Sequence, residues 1–299
     1  MERAEAGAVE TLEEGLRRVL APNPSPMTFR GTNTYLLGAG EVAVIDPGPA
    51  MAGHLDAILG ALAPGERVGA ILVTHSHLDH SPLARPLAEA TGAPILAAGP
   101  SDWGRSGTMR ALAEAGGLGG GEGVDAGFAP DRRIGDGETV AGAWGEIEVV
   151  ATPGHMANHL SFGWRGALFS GDMVMGWSTS LVSPPDGDMG AFMASLARLA
   201  GRADRIHYPG HGDPVTEPAA RLAELAAHRR SREDQIRAAL AELGAASPGH
   251  LATRIYRDLD ARLLPAAERN VLAHLVDMME RNLVTTEGGI GADVAFRLA

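Results

Sequence analysis

The segment Thr74-His75-Ser76-His77-Leu78-Asp79-His80 carries the strongest signal in this 299-residue chain. It follows the apolar run Ala70-Ile71-Leu72-Val73, which is typical of a buried strand that ends in a polar loop. Three imidazoles and a carboxylate stand close together there, and these ligand types suit Zn, Fe or Mn. In an extended segment the side chains of His75, His77 and Asp79 would project to one side and that of His80 to the other. The alternative is a solvent-facing polar loop, but the pattern favours a loop that supplies ligands to two neighbouring metals.

This segment resembles the His-x-His-x-Asp-His signature of the metallo-β-lactamase superfamily of hydrolases. Three later segments resemble the remaining ligand loops of that family, and they occur in the same order. These segments are Thr152-Pro153-Gly154-His155, Ser170-Gly171-Asp172 and Tyr208-Pro209-Gly210-His211-Gly212. The resemblance covers roughly residues 16 to 215.

The resemblance implies seven metal ligands that are divided between two metals. They are His75, His77 and His155 for the first metal, Asp79, His80 and His211 for the second, and Asp172 as the bridge. Two zinc ions are expected, with iron or manganese as the alternatives, and Asp79 is also assigned a catalytic role. A hydroxide held between the metals would attack the substrate, so no separate strong base is needed.

Other histidines need a separate interpretation. His159 matches a position at which other family members carry a histidine that is not usually a ligand, so we expect it to hydrogen-bond a ligand. We place His207 in a strand, and we expect surface or helix positions for His54, His228, His250 and His274. Met156 and Ser81 depart from the family pattern, and we expect both to lie beside the substrate pocket.

The composition excludes several classes of chemistry. The chain has 25 basic and 37 acidic residues and a net charge of −12, which opposes broad attraction to nucleic acid or to an anionic membrane. All the basic residues are arginine, so lysine nucleophiles are excluded, and the absence of cysteine excludes thiolate ligands and disulfides. Met1-Glu2-Arg3-Ala4-Glu5 lacks the apolar region of a secretory signal, and no run is long enough to span a membrane. We therefore expect a cytoplasmic protein that does not bind membranes.

The alternation of strand and helix patterns predicts two packed sheets with helices outside. This is an α/β fold, the four-layer αβ/βα sandwich of the metallo-β-lactamases. Strands are predicted at 16–20, 34–37, 42–45, 70–73, 95–97, 138–140, 144–151, 160–164, 167–170 and 205–208. Helices are predicted at 51–62, at 188–199, and from an N-cap pair Ser81-Pro82 to about residue 90. The glycine-rich stretch 116–123 predicts a flexible connection, with a lid over the site as the alternative.

The composition changes after Glu217-Pro218, which predicts a catalytic domain at 1–216 and a second domain at 217–299. Helices at 219–243, 248–256 and 265–282, followed by a β-like tail, resemble a small winged-helix domain. Acidic residues slightly outnumber arginines from residue 246 onward, which argues against duplex DNA binding. We therefore expect this domain to cap the catalytic domain or to form a homodimer interface.

The leading hypothesis is a binuclear metal-dependent hydrolase that acts on a phosphodiester in a small molecule or a single-stranded RNA. Gly31-Thr32-Asn33-Thr34-Tyr35 and the winged-helix-like tail resemble the branch of lactamase-like endoribonucleases. A thioester hydrolase of the glyoxalase II type is the alternative, and it would be expected to have basic side chains for its substrate. The only arginine cluster in the tail is Arg229, Arg230 and Arg232. A winged-helix nucleic-acid-binding regulator is a third hypothesis, which the net charge disfavours. No Gly-x-Ser-x-Gly elbow supports a serine hydrolase.

Overall fold

The computed structural model describes residues 5–116, 118 and 123–299. Seven strands form one sheet in which they lie side by side in the order of the chain. They are β1 (Val9–Glu13), β2 (Leu16–Leu20), β3 (Asn33–Ala39), β4 (Glu41–Ile45), β5 (Arg67–Leu72), β6 (Ile95–Ala97) and β7 (Arg132–Arg133). The first four are antiparallel, and β4 to β7 run parallel.

Five later strands form a second sheet with the order β12-β11-β10-β9-β8. They are β8 (Thr139–Gly142), β9 (Gly145–Ala151), β10 (Leu160–Trp164), β11 (Ala167–Gly171) and β12 (Ile206–Pro209). Only the pair of β11 and β12 is parallel within this sheet.

The core between the two sheets follows from the alternation of side chains along each strand. On β3, Tyr35 and Leu37 face the second sheet, where they join Phe162 and Phe169 in one buried cluster. Leu36, between them, belongs to the cluster on the opposite face. Both faces of the first sheet are therefore apolar, which is why β3 reads as a nearly continuous apolar run rather than an alternating one.

Helices cover the outer faces of both sheets. The first sheet carries α1 (Ala52–Gly60) and α2 (Ala84–Thr91), and α3 (Gly107–Ala115) packs elsewhere, on the C-terminal domain. The second sheet carries α4 (Met189–Ala200) and the first half of α5 (Pro218–Leu243). This four-layer arrangement confirms the αβ/βα sandwich that the sequence predicted.

The C-terminal domain contains α6 (Pro248–Ile255), a 3₁₀ turn at Ala261–Leu263, α7 (Leu264–Glu280), β13 (Val284–Thr286) and β14 (Phe296–Leu298). The last two strands form an antiparallel hairpin, and helices followed by a hairpin give the predicted winged helix. α5 belongs to both parts of the chain, because Leu222 and Leu225 pack on the second sheet while Ile236 and Leu240 pack in the C-terminal core. The boundary at 216/217 stays a prediction, since α5 crosses from one core to the other.

The structure differs from the predicted elements near α2. The pair Ser81-Pro82 does not cap α2, which begins at Ala84 after Leu83. The Ser81 hydroxyl instead donates to Asp125 Oδ2 at 2.8 Å, so its side chain is occupied by a tertiary contact. Ser81 and Met156 are both buried and stand next to the cluster residues His80 and His155 in the chain, and their expected place beside the substrate pocket stays a prediction.

Two further expectations concern the glycine-rich stretch and membrane-spanning segments. Residues 117 and 119–122 of the glycine-rich stretch lie outside the described residues, so neither the connection nor the lid is tested there. Among the residues that the structure describes, no helix combines the length and the apolar character that a bilayer span requires.

Candidate metal centre

The histidine-rich loop begins directly after β5 and closes in a tight turn. The backbone N–H groups of His80 and Ser81 both donate to the carbonyl oxygen of His77, at 2.9 and 3.0 Å. This turn breaks the extended geometry that we expected for the whole segment. Asp79 therefore does not share a side with His75 and His77, and it lies with His80 instead.

Three histidines from two loops form the first cluster. His75 Nε2 lies 2.9 Å from His77 Nδ1, and His155 Nε2 lies 3.0 Å from the same His77 nitrogen. His155 reaches them from the loop between β9 and β10. Three ring nitrogens therefore converge on one point, in the way that a metal ion with imidazole ligands requires.

A second cluster lies beside the first and draws on the loop after β12. His211 Nε2 lies 3.1 Å from Asp79 Oδ2 and 3.3 Å from His80 Nε2. Two imidazoles and one carboxylate thus meet within the reach of a single ion.

Asp172 lies between the two clusters at the end of β11. Its Oδ1 is 3.4 Å from His211 Nε2 and 3.5 Å from His80 Nε2, whereas its Oδ2 is 3.7 Å from His155 Nε2. Oδ1 is buried without a well-formed hydrogen bond to any described residue. A buried carboxylate oxygen of this kind is costly unless a cation satisfies it, so this side chain fits a metal site.

Asp46 holds the loop from behind, and sequence reasoning missed it. Its Oδ1 accepts from the backbone N–H of Thr74 at 2.7 Å, and its Oδ2 accepts from the Thr74 hydroxyl at 2.8 Å. The same Oδ2 lies 2.9 Å from His80 Nδ1, and Thr74 Oγ1 lies 2.9 Å from His75 Nδ1. One carboxylate therefore orients a histidine of each cluster. The Asp46-Pro47-Gly48 motif had indicated only a turn.

Backbone carbonyls orient two more of the histidines. His155 Nδ1 donates to the carbonyl of Leu181 at 2.6 Å, and His211 Nδ1 donates to that of Gly31 at 3.1 Å. These bonds direct the opposite ring nitrogen, Nε2, toward the clusters. Asn33 Nδ2 donates to the carbonyls of Pro209 and Gly212, which fixes the loop around His211. The Gly31-to-Tyr35 segment, which had suggested a substrate class, thus has a structural task at the metal site.

His159 lies behind Asp172 and forms the hydrogen bond expected of it. Its Nε2 accepts from the backbone N–H of Asp172 at 3.2 Å, and its Nδ1 lies 2.9 Å from Thr152 Oγ1. His207 is in β12, as predicted. His54 and His274 lie on helices, which confirms one of the two predicted kinds of position, and both are buried rather than at the surface.

The two clusters differ in their protonation. Burial, followed by the neighbouring His155, lowers the pKa of His77 to about 3, and burial also lowers the pKa values of His75 and His155. Burial opposes a charge on His80 too, but Asp79, Asp172 and Asp46 outweigh it and raise the pKa to about 9. The first cluster is therefore neutral, as metal binding requires, whereas the second holds protons that a metal must displace.

A cleft opens from the clusters toward the C-terminal domain. A cavity of about 590 Å³ is lined by four cluster residues, by Met27 and Trp177, and by side chains of α5, of α7 and of the segment between α6 and α7. The cluster residues are His77, Asp79, His155 and Asp172. A second cavity of about 650 Å³ adjoins it and shares the walls at His77, His155 and Met27. The C-terminal domain therefore forms one wall of the space in which a substrate would meet the clusters.

Comparisons with known proteins agree with this architecture. Residues 27–211 match the metallo-β-lactamase superfamily model, and residues 247–292 match the β-lactamase-associated winged helix domain. The chain resembles the crystal structure of a β-lactamase domain protein from Burkholderia ambifaria, with a TM-score of 0.80 and 25% identity over 98% of this chain and 94% of that one.

Two curated relatives have similar sequences. The lactamase-like protein adaB of Aspergillus niger is 32% identical over 78% of this chain, which spans 66% of that protein, just under two thirds of its length. The atrochrysone carboxyl ACP thioesterase of Aspergillus fumigatus is 29% identical over 91% of this chain and 82% of that protein. The matched family model covers more than half of the chain, including every residue of both clusters. The chain therefore belongs to the metallo-β-lactamase superfamily of hydrolases, and it carries the winged-helix domain that is associated with that family.

Proposed function

We propose that the protein is a binuclear metal-dependent hydrolase that cleaves a thioester. The observation that carries this proposal is the cavity beside the clusters, whose wall is mostly apolar. Met27, Leu78, Leu259 and Leu263 line it together with Trp177. An acyl chain gains about 25 cal/mol for each Å² of apolar surface that it buries there, whereas a strand of charged phosphates gains nothing from such a wall.

Seven side chains would hold two divalent metal ions, as the family implies. The first would lie among His75, His77 and His155, the second among Asp79, His80 and His211, and Asp172 would reach both. Zinc is the proposed metal, because imidazole and carboxylate groups without thiolates form its catalytic sites, and iron and manganese are the alternatives. When bound, the pair would supply Lewis-acid activation of water and of the substrate carbonyl.

The side chains have their own tasks in this reaction. Asp46, Leu181 and Gly31 fix the tautomers of three histidines, so that the metal-binding nitrogens are already aimed before any ion arrives. Asp79 is the more exposed of the two cluster carboxylates, since 27% of its side chain is exposed to solvent against 10% for Asp172. It lines the cavity, where its carboxylate can accept a hydrogen bond from the attacking water and orient it.

The likeness to a relative named as an acyl carrier protein thioesterase supports the same substrate class. Phosphodiester hydrolysis, which the sequence favoured, is the second candidate. The observation in its favour is the pair of arginines, Arg229 and Arg232, on the cavity wall.

One zinc-loaded preparation tests the two candidates side by side. We expect turnover of S-hexanoyl-N-acetylcysteamine that greatly exceeds turnover of bis-p-nitrophenyl phosphate and of a short single-stranded RNA. His77→Ala serves as the control, since activity that survives in it comes from a contaminant. Efficient phosphodiester cleavage without thioester cleavage would reject the proposed substrate and leave the metal site standing.

A further inference from the structure

Three arginines on α5 have different environments, although they are close in sequence. Arg229 is buried, and it donates from NH1 to Asn270 Oδ1 at 3.1 Å and from NH2 to the carbonyl of Ser180. These contacts use its guanidinium to join α5 to α7 and to the segment after β11. Arg230 is exposed to solvent and lies outside the cavity wall.

Arg232 differs from both because it lines the cavity and because part of its guanidinium has no hydrogen-bond partner among the described residues. Its guanidinium carbon lies 4.2 Å from the centre of the Tyr256 ring, and its NH1 donates to Gln235 Oε1 at 2.7 Å. Its Nε is buried without a hydrogen-bond partner among the described residues, and no described carboxylate forms an ion pair with it. Stacking on an aromatic ring holds a guanidinium rigid while its planar edge stays available.

The surroundings of Arg232 concentrate positive charge in an acidic protein. The chain carries a net charge of −12, yet His228, Arg229 and Arg232 together line one side of the cavity. Burial lowers the pKa of His228, and the charges of Arg232 and Arg229 lower it further, so His228 is neutral and the two guanidinium groups supply the positive charge. The facing wall from α7 and the turn before it, at Leu259, Leu263 and Ala266, is apolar. An anion that enters this cavity therefore finds its compensating charge on α5.

We propose that Arg232 determines specificity by binding an anionic group of the substrate, a carboxylate or a phosphate, that lies apart from the bond being cleaved. This inference rests on the proposed thioester hydrolysis. The guanidinium presents a planar fork of N–H donors, which matches the two oxygens of such an anion. The apolar walls then bind the rest of the acyl or carrier group, and the scissile carbonyl is brought to the clusters.

The test compares Arg232→Gln with a matched control, Arg230→Gln, which removes an equal charge from the same helix outside the cavity. Three thioesters are used with the zinc-loaded full chain. S-hexanoyl-N-acetylcysteamine is neutral, S-adipyl-N-acetylcysteamine has a carboxylate at the acyl end, and hexanoyl-coenzyme A has phosphates on the thiol side. We expect Arg232→Gln to raise KM about 10-fold to 100-fold for one or both anionic thioesters, the range for a lost hydrogen bond to a charged group.

The pattern among the substrates distinguishes the two sources of the anion. A KM rise confined to the adipyl thioester identifies an acyl carboxylate, and one confined to the coenzyme A thioester identifies a carrier phosphate. For the neutral thioester, KM and kcat should stay within about twofold in both variants. Equal effects on all three substrates, or none on any, would overturn the proposal. Arg232→Lys, which keeps the charge but loses the fork, should recover part of the KM and provides a second variant if glutamine impairs folding.

A binding measurement separates failure of this inference from failure of the proposed reaction. If no thioester is cleaved, the thioesterase function is rejected, and calorimetry with adipate and with pantetheine 4′-phosphate then tests Arg232 alone. Weaker binding by Arg232→Gln than by Arg230→Gln still supports an anion site. Identical affinities in the two variants refute it.

Discussion

Replacing Asp46 by asparagine should weaken binding of the second metal while leaving the fold intact. Asp46 has a positive φ of 50°, a backbone conformation that asparagine tolerates better than most residues do. In the variant, the amide oxygen can still accept from the Thr74 N–H, as Oδ1 does at 2.7 Å. The new NH₂ group would then face His80 Nδ1, which Oδ2 approaches at 2.9 Å in the native chain.

The tautomer of His80 links this contact to the metal. An NH₂ group donates only, so His80 Nδ1 would have to accept, and the ring proton would move to Nε2. That nitrogen faces Asp79 and His211, and once protonated it cannot bind a metal. Loss of an orienting partner typically costs about 10- to 100-fold in metal affinity. This corresponds to about 1.4 to 2.8 kcal/mol, at about 1.4 kcal/mol for each factor of ten.

Zinc titration against a competing chelator, combined with thermal unfolding, measures both parts of this prediction. The second equivalent of zinc should bind about 10- to 100-fold more weakly in Asp46→Asn, with a smaller change for the first. Asp125→Asn is the matched control, because Asp125 bonds to the neighbouring Ser81 and has no bond to a cluster histidine. Two equivalents of zinc bound with native affinity in Asp46→Asn would refute the reasoning.

Other predictions concern the clusters and the C-terminal domain. His77→Ala and Asp172→Ala should remove most metal and activity, whereas His159→Ala should lower metal affinity or activity by about 10- to 100-fold. Elemental analysis that shows equal metal loss in all three variants would contradict this. Zinc binding to the second cluster should weaken as the pH falls below about 9, because His80, with its pKa raised to about 9, must lose a proton to bind, whereas His77 of the first cluster, with its pKa lowered to about 3, stays neutral. Zinc titrations in which both equivalents depend equally on pH would argue against it. A chain that ends at Thr216 keeps all seven ligands but loses one wall of the cavity and the helix α5 that packs on α4. Sedimentation should therefore show aggregation, or activity assays should show lost turnover. A soluble and fully active truncation would show that this wall is dispensable.

Local sequence patterns predicted the sandwich, and the family resemblance pointed to seven side chains that the structure brings together in neighbouring groups. The apolar run before His75 marked a buried strand, and its ligand loop could only lie at the edge of a sheet. The pairing of Asp79 with His80 and His211 came from the family resemblance, while strand alternation placed Asp79 wrongly. Alternation failed because the chain turns at His77, a feature that depends on hydrogen bonds rather than on the pattern of side chains.

Contacts between distant segments could not be predicted from the sequence. Asp46 stands 28 residues from Thr74 and 34 from His80, and nothing in its local motif distinguishes a turn aspartate from one that orients metal ligands. The wall formed by Arg232 and Tyr256 is a similar case, since α5 reaches the cavity only after the two cores have packed together. A signal was available for Arg232, because a cluster of arginines in an acidic chain is itself unusual.

The continuity of α5 has a mechanical consequence for the cleft. A helix of 26 residues is about 39 Å long and resists bending. The two cores that α5 joins are therefore held at a fixed separation and orientation. The distance between the clusters and the opposite wall is then set by the helix and not by a hinge. A substitution in either core that tilts α5 would widen or narrow the cleft without touching a metal ligand, which gives related chains a way to change substrates while they keep the same chemistry.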